Sequence, residues 1–191
     1  MKKIYLFFAV VFLSACASPK VQPITISKTY EASSSPIINS RQMHMVITSP
    51  DFQNNGLLPQ ALSCLGEGRP PVLEITDVPS STLSLALIVQ DPDAPAGVFT
   101  HWLAWNIDPH ATTIDAAALP AKASSGVNSS GSIKYVPPCP PSGIHHYYYR
   151  LYALDAKLTL PAKANVKQLL AAMNSHIIDE AVIMGRFQRG K

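Results

Sequence analysis

Charged residues are scarce in this chain: Asp, Glu, Lys and Arg make up 14% of its 191 residues, whereas apolar residues make up 47%. This balance excludes a disordered acidic or basic chain and indicates one globular domain with a sizeable core. The 15 Lys and Arg residues nearly balance the 12 Asp and Glu residues. Because Lys2 and Lys3 lie in a segment that we expect to be removed, the mature chain is closer still to neutrality. We therefore expect no nucleic-acid partner.

Glycine is also scarce, with nine glycines against 17 prolines. The glycines are scattered, and no glycine-rich phosphate loop is present. The chain contains neither a G-x-S-x-G nucleophile motif nor an H-E-x-x-H zinc motif. The many prolines predict rigid turns and short elements rather than a helical bundle.

No apolar run is long enough for a membrane span, which takes about 20 residues. The longest run near the start, residues 4–13, follows Lys2 and Lys3 and has the length of a signal-peptide core. It ends in L-S-A-C at Cys16, which resembles a bacterial lipobox; the alternative is an ordinary signal peptide with an incidental cysteine. We therefore predict a lipoprotein signal peptide at residues 1–15 and lipid on Cys16.

Residues 16–41 are rich in Ser and Pro without strong periodicity, which is typical of a flexible tether. Residues 42–191 then form the predicted globular domain. By resemblance to the lipoprotein sorting pattern, Ala17 after the lipidated cysteine indicates the outer membrane. We expect a protein of the cell envelope that is held by its lipid anchor and faces the periplasm.

Cysteine is the rarest of the chemically reactive residues here, with three in the chain. If Cys16 carries lipid, Cys64 and Cys139 remain as a pair in an oxidising compartment. They form either a disulfide or two small buried thiols, and the sequence does not decide between them.

The body of the domain is mostly β by its residue pattern. Residues 83–90 form a continuous apolar run of strand length, so we expect a strand buried on both faces. One helix is predicted late in the chain, where Asn165 precedes apolar residues at helical spacing. Further strands are predicted at residues 43–48, 71–75, 102–107, 147–154 and 181–187. Close spacing of the strands favours antiparallel pairing, hence a sandwich or an open pair of sheets with a late helix.

Three short stretches concentrate the unusual side chains. Residues 91–95 read D-P-D-A-P directly after the buried strand, and residues 97–102 carry His101 into the next strand. Residues 135–149 form a proline-rich loop that leads to the pair His145 and His146 and then to three tyrosines. Because side chains alternate along a strand, His145 shares a face with Tyr147, and His146 faces the opposite way.

Together these stretches resemble the phosphatidylethanolamine-binding protein family, in its bacterial Raf-kinase-inhibitor-like branch. That family carries a D-P-D-A-P box, a G-x-x-x-H-W segment and a G-P-x-P-P-x-G-x-H-R-Y loop in this order, and the resemblance extends over roughly residues 43–188. It implies a central β-sheet with a second, smaller sheet packed on it and a C-terminal helix. It also implies a small pocket for phosphate, a phospho-headgroup or a similar anion, with no cofactor. Matched residue by residue, the pocket is formed by Asp91, His101, Cys139, His145 and Tyr147.

The chain departs from the family pattern at two positions. His146 stands where the family has an arginine, which removes any ion pair from that arginine to an acid. Pro137 stands where the family has glycine, which removes one backbone donor near the pocket.

The resemblance implies a binding protein without enzymatic activity, whose partners are a small anion and a protein that it regulates or inhibits. The alternative is a metal-assisted hydrolase built on the cluster of Asp91, His101 and His145, together with His146, because imidazole nitrogens and a carboxylate can hold zinc. Strand alternation weighs against this set, since it puts His145 and His146 on opposite faces.

Overall fold

The computed structural model describes residues 44–116, 118–119 and 122–189. The signal peptide, the lipidated Cys16 and the tether lie outside the described residues, and they stay predictions. Within the described ranges, no helix is long and apolar enough to cross a membrane.

The described chain is built from short and long strands with one late α-helix. The elements are β1 (Val46–Thr48), β2 (Gly56–Leu57), a 3₁₀ turn (Gln60–Leu62), β3 (Leu73–Thr76), β4 (Ser84–Asp91), β5 (Phe99–Ile107), β6 (Thr113–Ile114), β7 (Ser124–Ser125), β8 (Ile144–Leu154), α1 (Val166–Met173) and β9 (Ile177–Gln188). The strands make two sheets, a smaller one in the order β1-β3-β6 and a larger one in the order β2-β9-β8-β4-β5-β7. Neighbours pair antiparallel except β2 with β9. The mostly β fold with two sheets and a late helix is confirmed.

Strand β4 lies between β5 and β8 and is covered on both faces, as its continuous apolar run predicts. Leu85, Leu87 and Val89 belong to the core between the two sheets, where they pack with apolar residues of the smaller sheet. Ala86 and Ile88 alternate with them and belong to a second core on the helix side. A strand in this position is rigid, and Asp91 is its last residue.

The helix begins where the sequence predicts. The side chain of Asn165 accepts a hydrogen bond from the backbone N–H of Gln168, and the Gln168 side chain accepts one from the backbone N–H of Asn165. This reciprocal cap satisfies two donors that the first turn leaves unpaired. Leu169 and Met173 are buried in the second core, so the helix covers the face of the larger sheet away from the smaller sheet.

Strand ends differ from the sequence prediction. β5 begins at Phe99 rather than residue 102, β8 at Ile144 rather than 147, and β9 at Ile177 rather than 181. The ladder between β8 and β9 runs from Ile144 to Leu154. Hydrogen bonds to the neighbouring strand therefore extend these strands past the apolar residues from which they were predicted. The two-residue strands β2, β6 and β7 exist only through such pairing and were not predicted.

Candidate ligand-binding site

A cavity of about 200 Å³ lies at one end of the larger sheet. It is enclosed by the end of β4, the start of β5, the start of β8 and the loop of residues 136–141. Three of the residues around it are ionisable, namely Asp91, His101 and His145, and Cys139 lies at its wall. The rest are apolar: Ala94, Pro95, Phe99, Val136, Pro137, Pro140 and Pro141.

A larger cavity of about 320 Å³ lies near the opposite end of β5, beside Asp108, His110, Lys122 and Lys157. The side chains of Asp108 and His110 are 60% and 90% exposed, and both lysines are exposed as well. Exposed charges of this kind bind ligands weakly because water and salt screen them. The smaller cavity, with its buried histidines, is therefore the candidate site.

Asp91 and His145 form a buried pair at this cavity. Nδ1 of His145 donates to Oδ2 of Asp91 over 2.7 Å, and the two residues are only 6% and 4% exposed. The other carboxylate oxygen accepts a hydrogen bond from the backbone N–H of Asp93 over 2.8 Å. With both oxygens occupied, Asp91 fixes the orientation of the His145 ring.

His101 lies on β5 with its ring between those of Phe99 and Tyr147, at centroid distances of 4.8 and 5.2 Å. Its Nδ1 donates to the carbonyl oxygen of Val136 over 2.7 Å. Burial lowers the pKa of His101, and this outweighs the upward influence of the Val136 carbonyl and of Asp91. Burial therefore favours the neutral form of the ring.

The carbonyl that binds His101 is itself fixed by its surroundings. The backbone N–H of Val136 donates to the carbonyl oxygen of His101 over 3.1 Å. The buried side chain of Asn128 donates to the carbonyl oxygens of His101 and Lys134, over 3.3 and 2.7 Å. Asn128 thus holds the segment before Val136 against β5, and it positions His101 without lining the cavity.

Tyr147 does not line the cavity. It is 1% exposed and packs beside His101, while its ring centroid lies 6.5 Å from that of His145. Its hydroxyl is buried and has no hydrogen-bond partner among the described residues. Burial raises the pKa of this phenol, with a further contribution from Asp91, so the hydroxyl keeps its proton.

His146 lies on the opposite face of β8 and outside the cavity. Its Nδ1 and its backbone N–H both donate to Oδ2 of Asp93, over 2.7 and 2.8 Å. The hydrogen bond from His146 is the main reason that the pKa of Asp93 lies below its ordinary value. His146 therefore makes the kind of acid pair that we expected to be lost with the family's arginine.

Of the residues named for the alternative hydrolase, Asp91, His101 and His145 lie at the cavity and His146 does not. His146 is turned away from His101 and His145 by strand alternation. In the part of the chain that the structure describes, no three His, Cys, Asp or Glu side chains are placed so that they could hold a metal ion.

Cys64 and Cys139 form a disulfide, with their Cα atoms 5.4 Å apart. Both residues are exposed, so the alternative of two small buried thiols is wrong. The backbone N–H of Cys64 also donates to the carbonyl oxygen of Pro138 over 3.0 Å. The bridge thereby ties the proline loop at the cavity to the segment that follows the 3₁₀ turn.

The structure thus brings four of the five predicted site residues to one cavity, Asp91, His101, Cys139 and His145, and leaves Tyr147 beside it. Their role in binding an anion stays a prediction. Phe99 was not predicted as a site residue, although it lies two residues before His101 and alternation puts both on one face. Nor was the carbonyl of Val136, for which a sequence has no signal because every residue carries a carbonyl.

Comparison with known proteins agrees with this fold. The sequence profile of the phosphatidylethanolamine-binding protein family matches residues 48–188. A UPF0098 protein of Methanothermobacter thermautotrophicus is 44% identical over 144 residues, which cover 73% of this chain and 95% of that protein.

Two solved structures are also similar. A protein of Chlamydia trachomatis, described as a phosphatidylethanolamine-binding protein homologue, is 39% identical with a TM-score of 0.73, covering 77% of this chain and 99% of that one. Escherichia coli YbcL, described as a new member of the mammalian family, is 27% identical with a TM-score of 0.72, covering 78% of this chain and 100% of that one.

Proposed function

The chain belongs to the phosphatidylethanolamine-binding protein family, and from this we propose that it is an envelope-tethered binding protein whose cavity takes a small oxyanion. The ligand class is inorganic phosphate or the phosphate of a headgroup. The proposal rests on one observation: two buried histidines, His101 and His145, lie at the wall of the same cavity. Because Nδ1 of each ring is already paired, Nε2 is the nitrogen left for a ligand: it accepts from a P–O–H group when the ring is neutral, and it donates to a ligand oxygen when the ring is protonated.

The size of the cavity limits the ligand. Its volume of about 200 Å³ is below the roughly 300–1,000 Å³ of pockets that take drug-sized molecules. A phosphate or a short phosphate ester fits such a volume, whereas the acyl chains of a whole phospholipid do not. A phospholipid would therefore present only its headgroup here.

Regulation through a protein partner is the second part of the proposal. Proteins of this family are generally binding proteins rather than enzymes. A rigid cavity rim made of prolines and closed by a disulfide is suited to holding a fixed surface toward a partner. Lipid on Cys16 would keep that surface at the membrane facing the periplasm.

A titration with phosphate tests the anion site, because adjacent residues of β8 provide a matched pair of variants. His145→Gln removes the imidazole at the cavity, and His146→Gln removes the one on the opposite face. We expect His145→Gln to weaken phosphate binding at least about fivefold, equivalent to about 1 kcal/mol. His146→Gln should leave the affinity unchanged in calorimetry or NMR. Equal effects of the two variants would place the anion site elsewhere.

The tether is tested separately by Cys16→Ala. Without the acceptor for lipid, the protein should move from the membrane fraction to the soluble fraction and should lose incorporation of labelled fatty acid. Unchanged labelling of this variant would show that Cys16 is not the lipidated residue.

A further inference from the structure

The hydrogen bonds of the two cavity histidines determine which nitrogen carries the proton. A carbonyl oxygen only accepts, so Nδ1 of His101, 2.7 Å from the oxygen of Val136, must be the protonated nitrogen. A carboxylate likewise accepts from Nδ1 of His145. In each neutral ring the remaining nitrogen, Nε2, then carries a lone pair and is an acceptor.

Nε2 of His101 is a buried acceptor without a partner. The atom is shielded from solvent and has no hydrogen-bond partner among the described residues. His101 is 5% exposed, and its lowered pKa favours the neutral ring. A buried polar atom left unpaired costs free energy, which favours a ligand that brings a donor to it.

The rest of the cavity wall has few donors to offer. None of the described residues that surround the cavity is Lys or Arg, and the prolines among them have no backbone N–H. The N–H of Val136 is already used by the carbonyl oxygen of His101. The wall is therefore rich in acceptors, and it lacks the cations that usually bind a doubly charged anion.

The charged and titratable groups around His101 come from two neighbouring strands. Asp91 on β4 is a carboxylate, and His145 on β8 is its partner. Tyr147 on β8 adds a hydroxyl that keeps its proton and has no partner among the described residues. A second negative charge on the ligand would be repelled by Asp91.

We propose, on the basis of the oxyanion site proposed above, that the cavity selects a phosphoryl group that keeps one proton, and that its P–O–H donates to Nε2 of His101. The ligand class is the monoanion of a phosphate monoester or of inorganic phosphate. A fully ionised oxyanion of the same shape is disfavoured, because one of its oxygens would face the lone pair of Nε2. His101 is then the residue that determines specificity for the protonated form.

The test uses methyl phosphate and methyl sulfate as probes. Near pH 5.5 methyl phosphate is mostly a monoanion, since its second pKa is about 6. Methyl sulfate has the same charge and nearly the same shape but carries no O–H. We expect methyl phosphate to bind at least about tenfold more tightly, because a site with an unpaired buried acceptor discriminates strongly against a ligand without the donor.

Phosphorus NMR of the unaltered protein reads the ligand's protonation directly. The ³¹P shift of bound methyl phosphate should stay at the monoanion position to at least about one pH unit above the free ester's pKa of about 6. This measurement separates a proton held on the ligand from a proton taken up by a histidine.

A variant links the selectivity to one nitrogen. His101→Asn keeps an N–H near the Val136 carbonyl and removes Nε2, so the preference for methyl phosphate should fall to within about threefold. His146→Asn, on the opposite face, should keep the full preference. Should His101→Asn fail to fold, the NMR titration of the unaltered protein still decides.

Two results overturn the inference and are distinguishable. Equal binding of both esters, or a bound ester that titrates like the free one, leaves the oxyanion site and removes the selectivity. Failure of both esters to bind contradicts the proposed oxyanion site itself.

Discussion

Two histidine–aspartate pairs lie next to each other in the chain, and one is buried whereas the other is exposed to solvent. Asp91 with His145 and Asp93 with His146 have the same side chains and the same 2.7 Å separation from Nδ1 to the carboxylate. In the first pair the side chains are 5% and 7% exposed; in the second they are 40% and 37% exposed. Strand alternation alone makes this difference, because one residue along β8 exchanges the cavity face for the solvent face.

This difference in exposure determines how much each pair contributes to stability. In water the exposed pair competes with solvent, and its two side chains lose conformational freedom, so it contributes little. At the cavity wall the pair is withdrawn from water, so removing one member leaves the other without its buried partner. The following predictions test or sharpen this contrast, from the largest effect to the smallest.

The disulfide holds the proline loop at the cavity, where the buried pair lies. It joins Cys64 to Cys139 across 75 residues of sequence, and a loop of that size corresponds to about 4 kcal/mol. We expect the double variant Cys64→Ser/Cys139→Ser to lose about this much unfolding free energy in denaturant titration. In NMR of the folded variant, the imidazole signals of His145 should shift while those of His146 stay in place. A loss below about 1 kcal/mol would indicate that proline packing alone holds the loop.

Replacing Asp91 or Asp93 with alanine compares the stability contributions of the buried and the exposed pair. Asp91→Ala leaves the Nδ1–H of His145 and the N–H of Asp93 without acceptors, at a cost of about 3 kcal/mol of unfolding free energy. Asp93→Ala breaks the exposed pair and should cost less than about 1 kcal/mol. Chemical unfolding of the two variants under the same conditions is the measurement. Similar losses would refute the assignment of the difference to burial.

Acid should destabilise the two sides in different pH ranges. The pKa of His101 is lowered in the folded protein, so between this pKa and the unfolded value of about 6.5 the unfolded chain binds more protons. Stability should therefore fall as the pH drops below about 6.5, by up to about 1.4 kcal/mol per pH unit. The lowered pKa of Asp93 acts in the carboxylate range, and its contribution should be lost only below about pH 4.

Unfolding free energies measured from pH 7.5 to pH 3.5 test these two ranges. His101→Asn should flatten the upper part of the curve, and Asp93→Asn only the lower part. A slope above pH 5 that survives His101→Asn would assign the effect to another group.

The smallest effect is expected at Tyr147. Its hydroxyl is buried without a partner among the described residues, so Tyr147→Phe should leave the fold equally stable or stabilise it by up to about 1 kcal/mol. Phosphate binding should stay unchanged, because Tyr147 does not line the cavity. Thermal unfolding and a phosphate titration measure the two effects. A clear loss of stability would show that the hydroxyl has a structural partner.

Local patterns were sufficient for strand β4, for the start of the helix and for the contrast between the two pairs. The apolar run at residues 83–90 predicts a strand covered on both faces, and Asn165 predicts the start of the helix; both are confirmed. The separation of His145 from His146 also follows from the sequence, because the side-chain period of a strand is two whatever the strand pairs with. These features depend on residues close in the chain, where steric and hydrogen-bonding preferences act directly.

The features that the sequence did not predict depend on residues that are distant in the chain. The disulfide required the approach of Cys64 to Cys139, and the two-residue strands exist only through their partners. The Val136 carbonyl that fixes the tautomer of His101 is 35 residues away along the chain. Periodicity determined which face each side chain occupies, because it follows from backbone geometry. Tertiary structure decided whether that face is buried and which hydrogen-bond partners its side chains have, because burial and partners exist only once the sheets have packed.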